Sequence, residues 1–234
     1  MYVWPFSTAA RLDSGSCSGK NPDENADEKN WIGFGWRGQL LFVYSVHPHK
    51  VVMARAGDGA CVARHGWVSS FAPLAHLEMI MSRPHVGGVE LHGGGAATLV
   101  EEEEEAPAAE GESVAAGGGS GDGGGGGVTR RYYVAMFHVK RVTDDGSGGG
   151  SYVSYAYKFS ASPPFRQFAV SCPLPLHNPS KAFASTLVLH GDVAVVGYGS
   201  GGDAEPRVLA MSRHQFLHGM FSSACGAAAA ADKR

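Results

Sequence analysis

The densest group of chemically capable side chains in this sequence is Glu28-Lys29-Asn30-Trp31. An acid, a base, an amide and an indole stand side by side just before an apolar segment. Proteins bind sugars with such a combination, an aromatic face flanked by convergent polar groups. The same four residues would also suit a loop in which Trp31 anchors the core while the two charges remain in solvent. The composition leaves both interpretations open.

Three histidines are further candidates for polar contacts with a ligand. His49 ends the motif His47-Pro48-His49, His92 precedes a run of three glycines, and His138 lies inside the apolar run YYVAMFHV. Glycine beside His92 would allow close backbone approach, whereas His138 fits a hydrogen-bonded position in the core better than a catalytic one. A metal site would need a third or fourth ligand. No other His or Cys stands at a helpful spacing, so we predict neither a metal nor a cofactor.

Asp203 is the only acid that we nominate in the downstream half, at the end of the glycine-rich segment 199–203. This segment separates two predicted strands, and loops between strands often present functional side chains. An ordinary turn aspartate is the alternative. The glycine run 93–95 lacks the lysine of a phosphate-binding loop, and the G-x-S-x-G motif of serine hydrolases does not occur.

Residues 101–127 differ sharply in composition from the rest of the chain. They contain 10 of the 34 glycines and 8 of the 22 acidic residues, among them Glu101–Glu105, but no Lys or Arg. Such a segment cannot bury enough apolar surface to offset the entropy lost on ordering, so we predict that it has no structure. The remainder carries 19 basic and 14 acidic residues. Because the basic residues are scattered, we do not predict nucleic-acid binding.

No apolar run approaches the roughly 20 residues of a membrane-spanning helix, so no membrane span is predicted. Residues 1–19 lack the charged and apolar parts of a signal peptide, and the compartment stays open. The four cysteines are far apart and form no C-x-x-C pair, which favours free thiols. A secreted chain with one or two disulfides is the alternative. The cysteines are Cys17, Cys61, Cys172 and Cys225.

Short segments rich in β-branched and aromatic residues, separated by turn residues, predict an all-β fold. A short helix is expected at 213–221, a strand buried on both faces at 39–46, and a loop at 93–95. Segment 67–71 could be a strand, and segment 74–81 could be a strand or a helical turn. Further strands are predicted at 50–54, 132–139, 152–159, 167–171, 186–190, 192–198 and 207–211. The expected organisation is a disordered segment 1–27, a β domain 28–222 interrupted by the insert 101–127, and a disordered tail 223–234.

Several segments, taken in order, resemble a family of uncharacterised five-bladed β-propeller proteins. EKNW (28–31) followed by LLFVYSVHPHKVV (40–52) is similar to the family's E-K-N-W and its following strand pair. Leu91-His92-Gly93-Gly94 stands where the family tends to have Arg-Gly-Gly. The resemblance continues through YYVAMFHV (132–139), YVSYAYKFSASPPF (152–165), SCPLPL (171–176) and VAVVGYG (193–199).

This family is similar in fold to β-1,2-mannoside phosphorylases and related mannosyltransferases. The resemblance implies a partial propeller of two or three blades that binds a glycan or sugar-phosphate at its axis. It implies glycosyl transfer, phosphorolysis or hydrolysis of a glycan, with β-mannosides as the expected substrates. We expect Glu28 and Asp203 to be catalytic. Substrate contacts are expected from Lys29, Asn30, Trp31, His49, His92 and His138.

Two departures from the family keep a second interpretation open. His92 replaces an Arg that would make bidentate contacts with phosphate or carboxylate, and the segment that should supply the first blades is missing or replaced before Glu28. Whether the chain is an enzyme therefore stays open. The alternative is a non-catalytic propeller-like scaffold that binds a glycan or a protein, or a truncated inactive fragment of such an enzyme.

Overall fold

The structure, a computed structural model, describes residues 30–47, 49–54, 61–62, 89–104, 128–142, 150–201 and 205–222. These residues form three antiparallel sheets and one short α-helix, so the all-β prediction is confirmed. Sheet one contains β1 (Ile32–Trp36), β2 (Gln39–Ser45), β3 (Lys50–Ala54) and β4 (Cys61–Val62). Sheet two contains β5 (Val89–Glu104), β6 (Val128–Val142), β7 (Gly150–Ser160) and β8 (Gln167–Val170). Sheet three contains β9 (Phe183–His190), β10 (Val193–Ser200) and β11 (Glu205–Ser212).

Within each sheet the strands pair in sequence order, so every sheet is a simple meander. The β1–β2 hairpin shows how the chain turns. Trp36 pairs with Gln39, and the two residues between them, Arg37 and Gly38, both have positive φ. Two-residue hairpins favour this backbone because it matches the twist of the flanking strands. After β11 the chain forms α1 (Arg213–Leu217), and Ser212 caps it by accepting a hydrogen bond from the Gln215 amide.

Sheet two lies between the other two sheets, as the two buried faces of strand β6 show. Successive side chains of a strand point to opposite faces. Tyr133, Ala135 and Phe137 join the core shared with sheet one, whereas Tyr132 and Met136 join the core shared with sheet three. The continuously apolar run 132–139 therefore belongs to a strand that is buried on both sides.

The first strand of each sheet, β1, β5 and β9, lies beside its counterpart in the next sheet, and we call these three the inner strands. A Cβ added to Gly93 would collide with the carbonyl oxygen of Asn30, and one on Gly94 with that of Ala184. Further along β5, the Thr98 hydroxyl donates to the Leu187 carbonyl oxygen at 3.3 Å. The same order holds along β1, because Asn30 lies beside Gly93, and Gly35 lies beside Tyr133, the partner of Leu99. The inner strands therefore run in the same direction and begin at the same end.

Two sequence expectations about β5 are wrong for physical reasons. Residues 93–95 are part of the strand, not a loop, because glycine lets β5 approach the neighbouring inner strands. Residues 101–104 also belong to β5 and not to a structureless insert. Glu101 lies opposite Arg131 on β6, and Oε1 of Glu101 is 2.8 Å from Nε of Arg131. Cross-strand pairing of opposite charges makes this acidic run compatible with a strand.

The expectation that β2 is buried on both faces is wrong as well. Leu41 and Val43 are buried, whereas Leu40 is 45% exposed, so the strand alternates. Cys172 is disulfide-bonded, which corrects the expectation of a free thiol at that position. The predicted strands at 50–54, 132–139, 152–159, 186–190, 192–198 and 207–211 and the short helix near 213 are confirmed.

Other expectations lie outside the described residues. These are the segments 1–27, 67–71, 74–81 and 223–234, and the insert beyond Glu104. None of the helices in the described ranges has the length and apolar character that a membrane crossing requires.

Candidate ligand-binding site

Asn30 stands two positions before β1, at the end where the inner strands begin. Its backbone has a φ of 75°, a left-handed conformation that Asn tolerates better than most side chains. The side chain points across to β5, where Nδ2 of Asn30 lies 3.2 Å from Nδ1 of His92. Because an amide nitrogen only donates, Nδ1 of His92 accepts in this pair and Nε2 carries the ring proton.

His92 and His138 form a stacked pair on neighbouring strands. The β5–β6 register places them directly opposite each other, and their ring centroids are 5.3 Å apart with an interplanar angle of 27°. Two further rings meet His138: Tyr152 of β7 at 5.6 Å and Phe183 of β9 at 5.5 Å. Tyr152 and Phe183 also contact each other at 5.9 Å. We call His92, His138, Tyr152 and Phe183 the ring cluster.

The electrostatic environment keeps His138 neutral. It is 7% exposed. Burial lowers its pKa to about 4, and His92 and Lys140 contribute in the same direction. Nδ1 of His138 is buried and has no hydrogen-bond partner among the described residues. At neutral pH this buried ring therefore carries no charge.

Trp31 does not join the ring cluster. Ile32 points into the core between sheets one and two, so the preceding side chain points to the opposite face of sheet one. There Trp31 contacts Phe42 at 5.8 Å and Tyr44 at 5.3 Å between ring centroids. Its half-buried indole thus packs on the outer face of sheet one.

His49 is also separate from the ring cluster. It is buried among apolar side chains, with its ring 5.8 Å from Tyr157 and 5.3 Å from Phe159. Tyr157 is five residues along β7 from Tyr152, about 16 Å in an extended strand. Burial lowers the pKa of His49 to about 4, and the nearby backbone of Phe165 offsets only part of this effect. Neither ring nitrogen has a partner of hydrogen-bonding geometry among the described residues.

Glu28, Lys29 and Asp203 lie outside the described residues. The strands that flank Asp203 are described, however, and they fix which end of sheet three is involved. Gly199 pairs with Phe183 at the start of β9, and Ser200 pairs with Glu205 at the start of β11. The β10–β11 connection therefore leaves the sheet at the end where the ring cluster lies.

Sequence reasoning missed Tyr152 and Phe183. Both stand at or near the start of a strand, and their residue types alone favour ordinary core packing. Their nearness to His138 depends on the β6–β7 register and on the packing of sheet three against sheet two, neither of which is local in sequence. In the described ranges no group of three or more His, Cys, Asp or Glu side chains is placed to hold a metal ion.

A second polar group missed by the sequence lies between β7 and α1. Nζ of Lys158 donates to the Leu217 carbonyl oxygen at 2.6 Å and lies 4.8 Å from the Tyr132 ring centroid and 4.6 Å from that of Phe221. Burial lowers the pKa of Lys158, although Glu102 opposes this effect. A cation at the last carbonyls of a helix stabilises that helix end. Lys158 therefore links α1 to sheet two, which is a structural role.

Comparisons of the chain with protein-family models, curated proteins and solved structures give no match.

Proposed function

We propose that this chain binds a glycan at the ring cluster, with Asn30 beside it. The observation that supports the proposal most is the meeting of an amide and two imidazoles with Tyr152 and Phe183 where the inner strands begin. Sugar rings pack their C–H faces on aromatic rings, and their hydroxyls need partners that both donate and accept. Exposed Asn30 meets the second need, because its side-chain amide both donates and accepts.

The resemblance to five-bladed propellers narrows the proposed ligand to β-mannosides or sugar phosphates. In this proposal the three sheets are consecutive blades and the inner strands line the axis. A meander in each sheet, with its first strand innermost, supports that reading. Glycosyl transfer, phosphorolysis and hydrolysis all need a carboxylic acid to protonate the glycosidic oxygen. Glu28, two positions before Asn30, and Asp203, on the β10–β11 connection, are the acids that we propose for this role.

A non-catalytic glycan-binding scaffold is the second candidate. It is supported by the ring cluster itself, because rings with an adjacent amide can hold a sugar without any chemical step. Binding then rests on the rings and on Asn30, and Glu28 and Asp203 are dispensable.

Isothermal titration calorimetry with β-1,2-mannobiose and with mannose 1-phosphate tests the binding proposal. Asn30→Gly keeps the positive φ but removes the amide, and we expect at least a tenfold loss of affinity, about 1.4 kcal/mol. His92→Ala should weaken binding similarly. It removes the ring that stacks on His138 and the nitrogen that accepts from the Asn30 amide. His190→Ala, an exposed change at the other end of β9, is the matched control. No heat with either sugar, or variants that bind as tightly as the parent chain, would contradict the proposal.

Analysis of the reaction products in the same samples distinguishes an enzyme from a non-catalytic scaffold. If the chain is an enzyme, Glu28→Gln or Asp203→Asn should abolish product formation while affinity changes little. If the scaffold interpretation is right, the parent chain binds the sugar but releases no product.

A further inference from the structure

The amide of Asn30 and the ring of His92 form a hydrogen bond whose direction depends on one proton. Nδ2 of Asn30 lies 3.2 Å from Nδ1 of His92, so the bond forms only while that ring nitrogen is unprotonated. A second proton on His92 would turn Nδ1 into a donor and bring two donors face to face. Because Asn30 is exposed, a half-turn about its Cβ–Cγ bond relieves this conflict. Oδ1 of Asn30 then accepts from His92 in a charge-assisted hydrogen bond.

Of the two stacked histidines, only His92 is placed to carry this proton. His138 is buried, and burial lowers its pKa to about 4. His92 is half-buried and contacts an exposed amide that can accept as well as donate. A charge on His92 further opposes a charge on His138. In mildly acid solution the charge of the pair therefore lies on His92.

The other titratable groups that face the pair lie on β6 and β7. Lys140 is two positions after His138 on the same face of β6, and its charge contributes to the low pKa of His138. Tyr152 lies opposite Lys140 on β7 and contacts His138 at 5.6 Å. Sheet one contributes the uncharged Asn30, and sheet three contributes Phe183. Positive charge therefore lies beside the pair even before either ring takes up a proton.

The orientation of the Asn30 amide decides which polar atom a ligand meets. While His92 is neutral, Nδ2 is turned to the ring, and Oδ1, on the other side of Cγ, is presented outward as an acceptor. After the half-turn, the two N–H groups of Nδ2 face outward beside a cationic ring. A sugar hydroxyl both donates and accepts, so it suits either orientation. An ionised sulfate or phosphate group only accepts and is negatively charged, so it suits only the second.

We propose that His92 and Asn30 together determine the ligand specificity of the ring cluster, because the amide reverses when His92 is protonated. Neutral sugars bind with either orientation, whereas anionic sugars, which carry a sulfate or phosphate group, are favoured in mildly acid solution. The specificity rests on the glycan site proposed above, but the reversal of the amide does not. Binding and protonation are linked, so an anionic sugar in turn favours the protonated ring.

The reversal of the amide is tested without any sugar. The His92 ring and the Asn30 side-chain amide are followed in 1H–15N correlation spectra of the full chain from pH 8 to pH 5.5. At pH 8, Nδ1 of His92 should be the unprotonated nitrogen, and the Asn30 signals should then change with the same midpoint as the ring. His92→Phe keeps a ring against His138 but takes up no proton, so the Asn30 signals should stay constant. An Asn30 amide that does not respond, or a His92 ring whose Nε2 is the unprotonated nitrogen, would overturn the proposal.

Isothermal titration calorimetry at pH 8 and pH 5.5 tests the specificity. The probes are β-1,2-mannobiose and mannose 6-sulfate, whose sulfate group stays ionised at both pH values. Mannose 6-sulfate should bind about fivefold more tightly at pH 5.5, and mannobiose should change by less than about twofold, since charge-assisted hydrogen bonds are stronger than neutral ones. His92→Phe should abolish this pH dependence, and the exposed control His190→Gln should keep it. Circular dichroism checks that each variant is folded at both pH values.

The outcomes separate this inference from the glycan proposal. Equal affinity for mannose 6-sulfate at both pH values, or a pH dependence that survives His92→Phe, would overturn the specificity assigned to His92 and Asn30. Heat from neither sugar would contradict the glycan proposal, while the sugar-free spectra would still decide whether the amide reverses.

Discussion

At the scale of single residues, the hydroxyls of Tyr157 and Tyr133 show that a polar group inside the fold can either destabilise or stabilise it. The Tyr157 hydroxyl is fully buried without a hydrogen-bond partner among the described residues, and burial raises its pKa. The Tyr133 hydroxyl, in contrast, donates to the carbonyl oxygen of Gly35 and ties β6 to β1. One hydroxyl therefore carries a desolvation cost, while the other links two sheets.

We predict that Tyr157→Phe raises the free energy of unfolding by about 1 kcal/mol, because the substitution removes a buried group without a partner. The matched change Tyr133→Phe should lower it by about 1 kcal/mol, because a hydrogen bond is lost and Gly35 keeps an unsatisfied carbonyl. Urea unfolding of the three proteins gives both values. Destabilisation by Tyr157→Phe would mean that its hydroxyl has a partner, such as a buried water.

His49 and His138 make the stability of the fold depend on pH. Burial holds both pKa values at about 4, below the ordinary value of 6.5. Between these values the unfolded chain binds protons that the folded chain does not. The free energy of unfolding should therefore fall as the pH drops from 6.5 towards 4, by roughly 1.4 kcal/mol per pH unit for each histidine. Above pH 7 these two groups should have no effect.

Urea unfolding at pH 7, 6 and 5 measures this slope. His49→Phe should remove about half of it, whereas His190→Gln, at an exposed position, should leave it unchanged. Equal stability at the three pH values would show that the two rings are not held neutral by burial.

At the scale of elements, β5 is the strand on which the arrangement of the three sheets depends. Its glycines contact the carbonyl groups of both neighbouring inner strands, so even one methyl group would force these strands apart. Gly35 on β1 is an inner-strand glycine with open space around it. Gly94 and Gly35 can therefore be compared as a crowded and an open glycine position on the inner strands.

Gly94→Ala should lower the free energy of unfolding by about 3 kcal/mol, at the upper end of typical overpacking costs. Gly35→Ala should change it by less than about 1 kcal/mol, since no clash opposes the smaller entropy loss of Ala. Thermal melting of both variants gives the comparison. Equal effects at the two sites would contradict the close packing of the inner strands.

Most strands could be predicted because their signals are local. The segments 50–54, 152–159 and 192–198 have the β-branched and aromatic residues of strands and end at turn residues. Strand β5 could not be predicted, because its glycines have the composition of a loop and its glutamates that of a disordered segment. What makes them a strand lies far away in sequence, in the carbonyl of Ala184 and in Arg131 on the partner strand.

The candidate site was predictable only in part. His92, His138 and Asn30 stood out singly as residue types able to bind a ligand, and the structure brings these three together. Their meeting depends on the β5–β6 register and on the parallel start of the inner strands. Trp31 and His49 lie elsewhere because strand alternation and core packing determine where each side chain points.

At the scale of the whole molecule, three stacked sheets give the chain one polar end and two flanks. The polar end gathers the starts of the inner strands, the ring cluster and the connection between β10 and β11. The flanks are the outer faces of sheets one and three.

Histidine-selective long-range 1H–15N correlation spectra, recorded during titration with β-1,2-mannobiose, test the central claim most directly. The signals of the ring nitrogens of His92 and His138 should shift together as the sugar concentration increases, because the ligand lies against both rings. Those of His49, buried against Tyr157, should not move. Unchanged spectra at millimolar sugar, or shifts confined to histidines outside the ring cluster, would contradict a glycan site at the start of the inner strands.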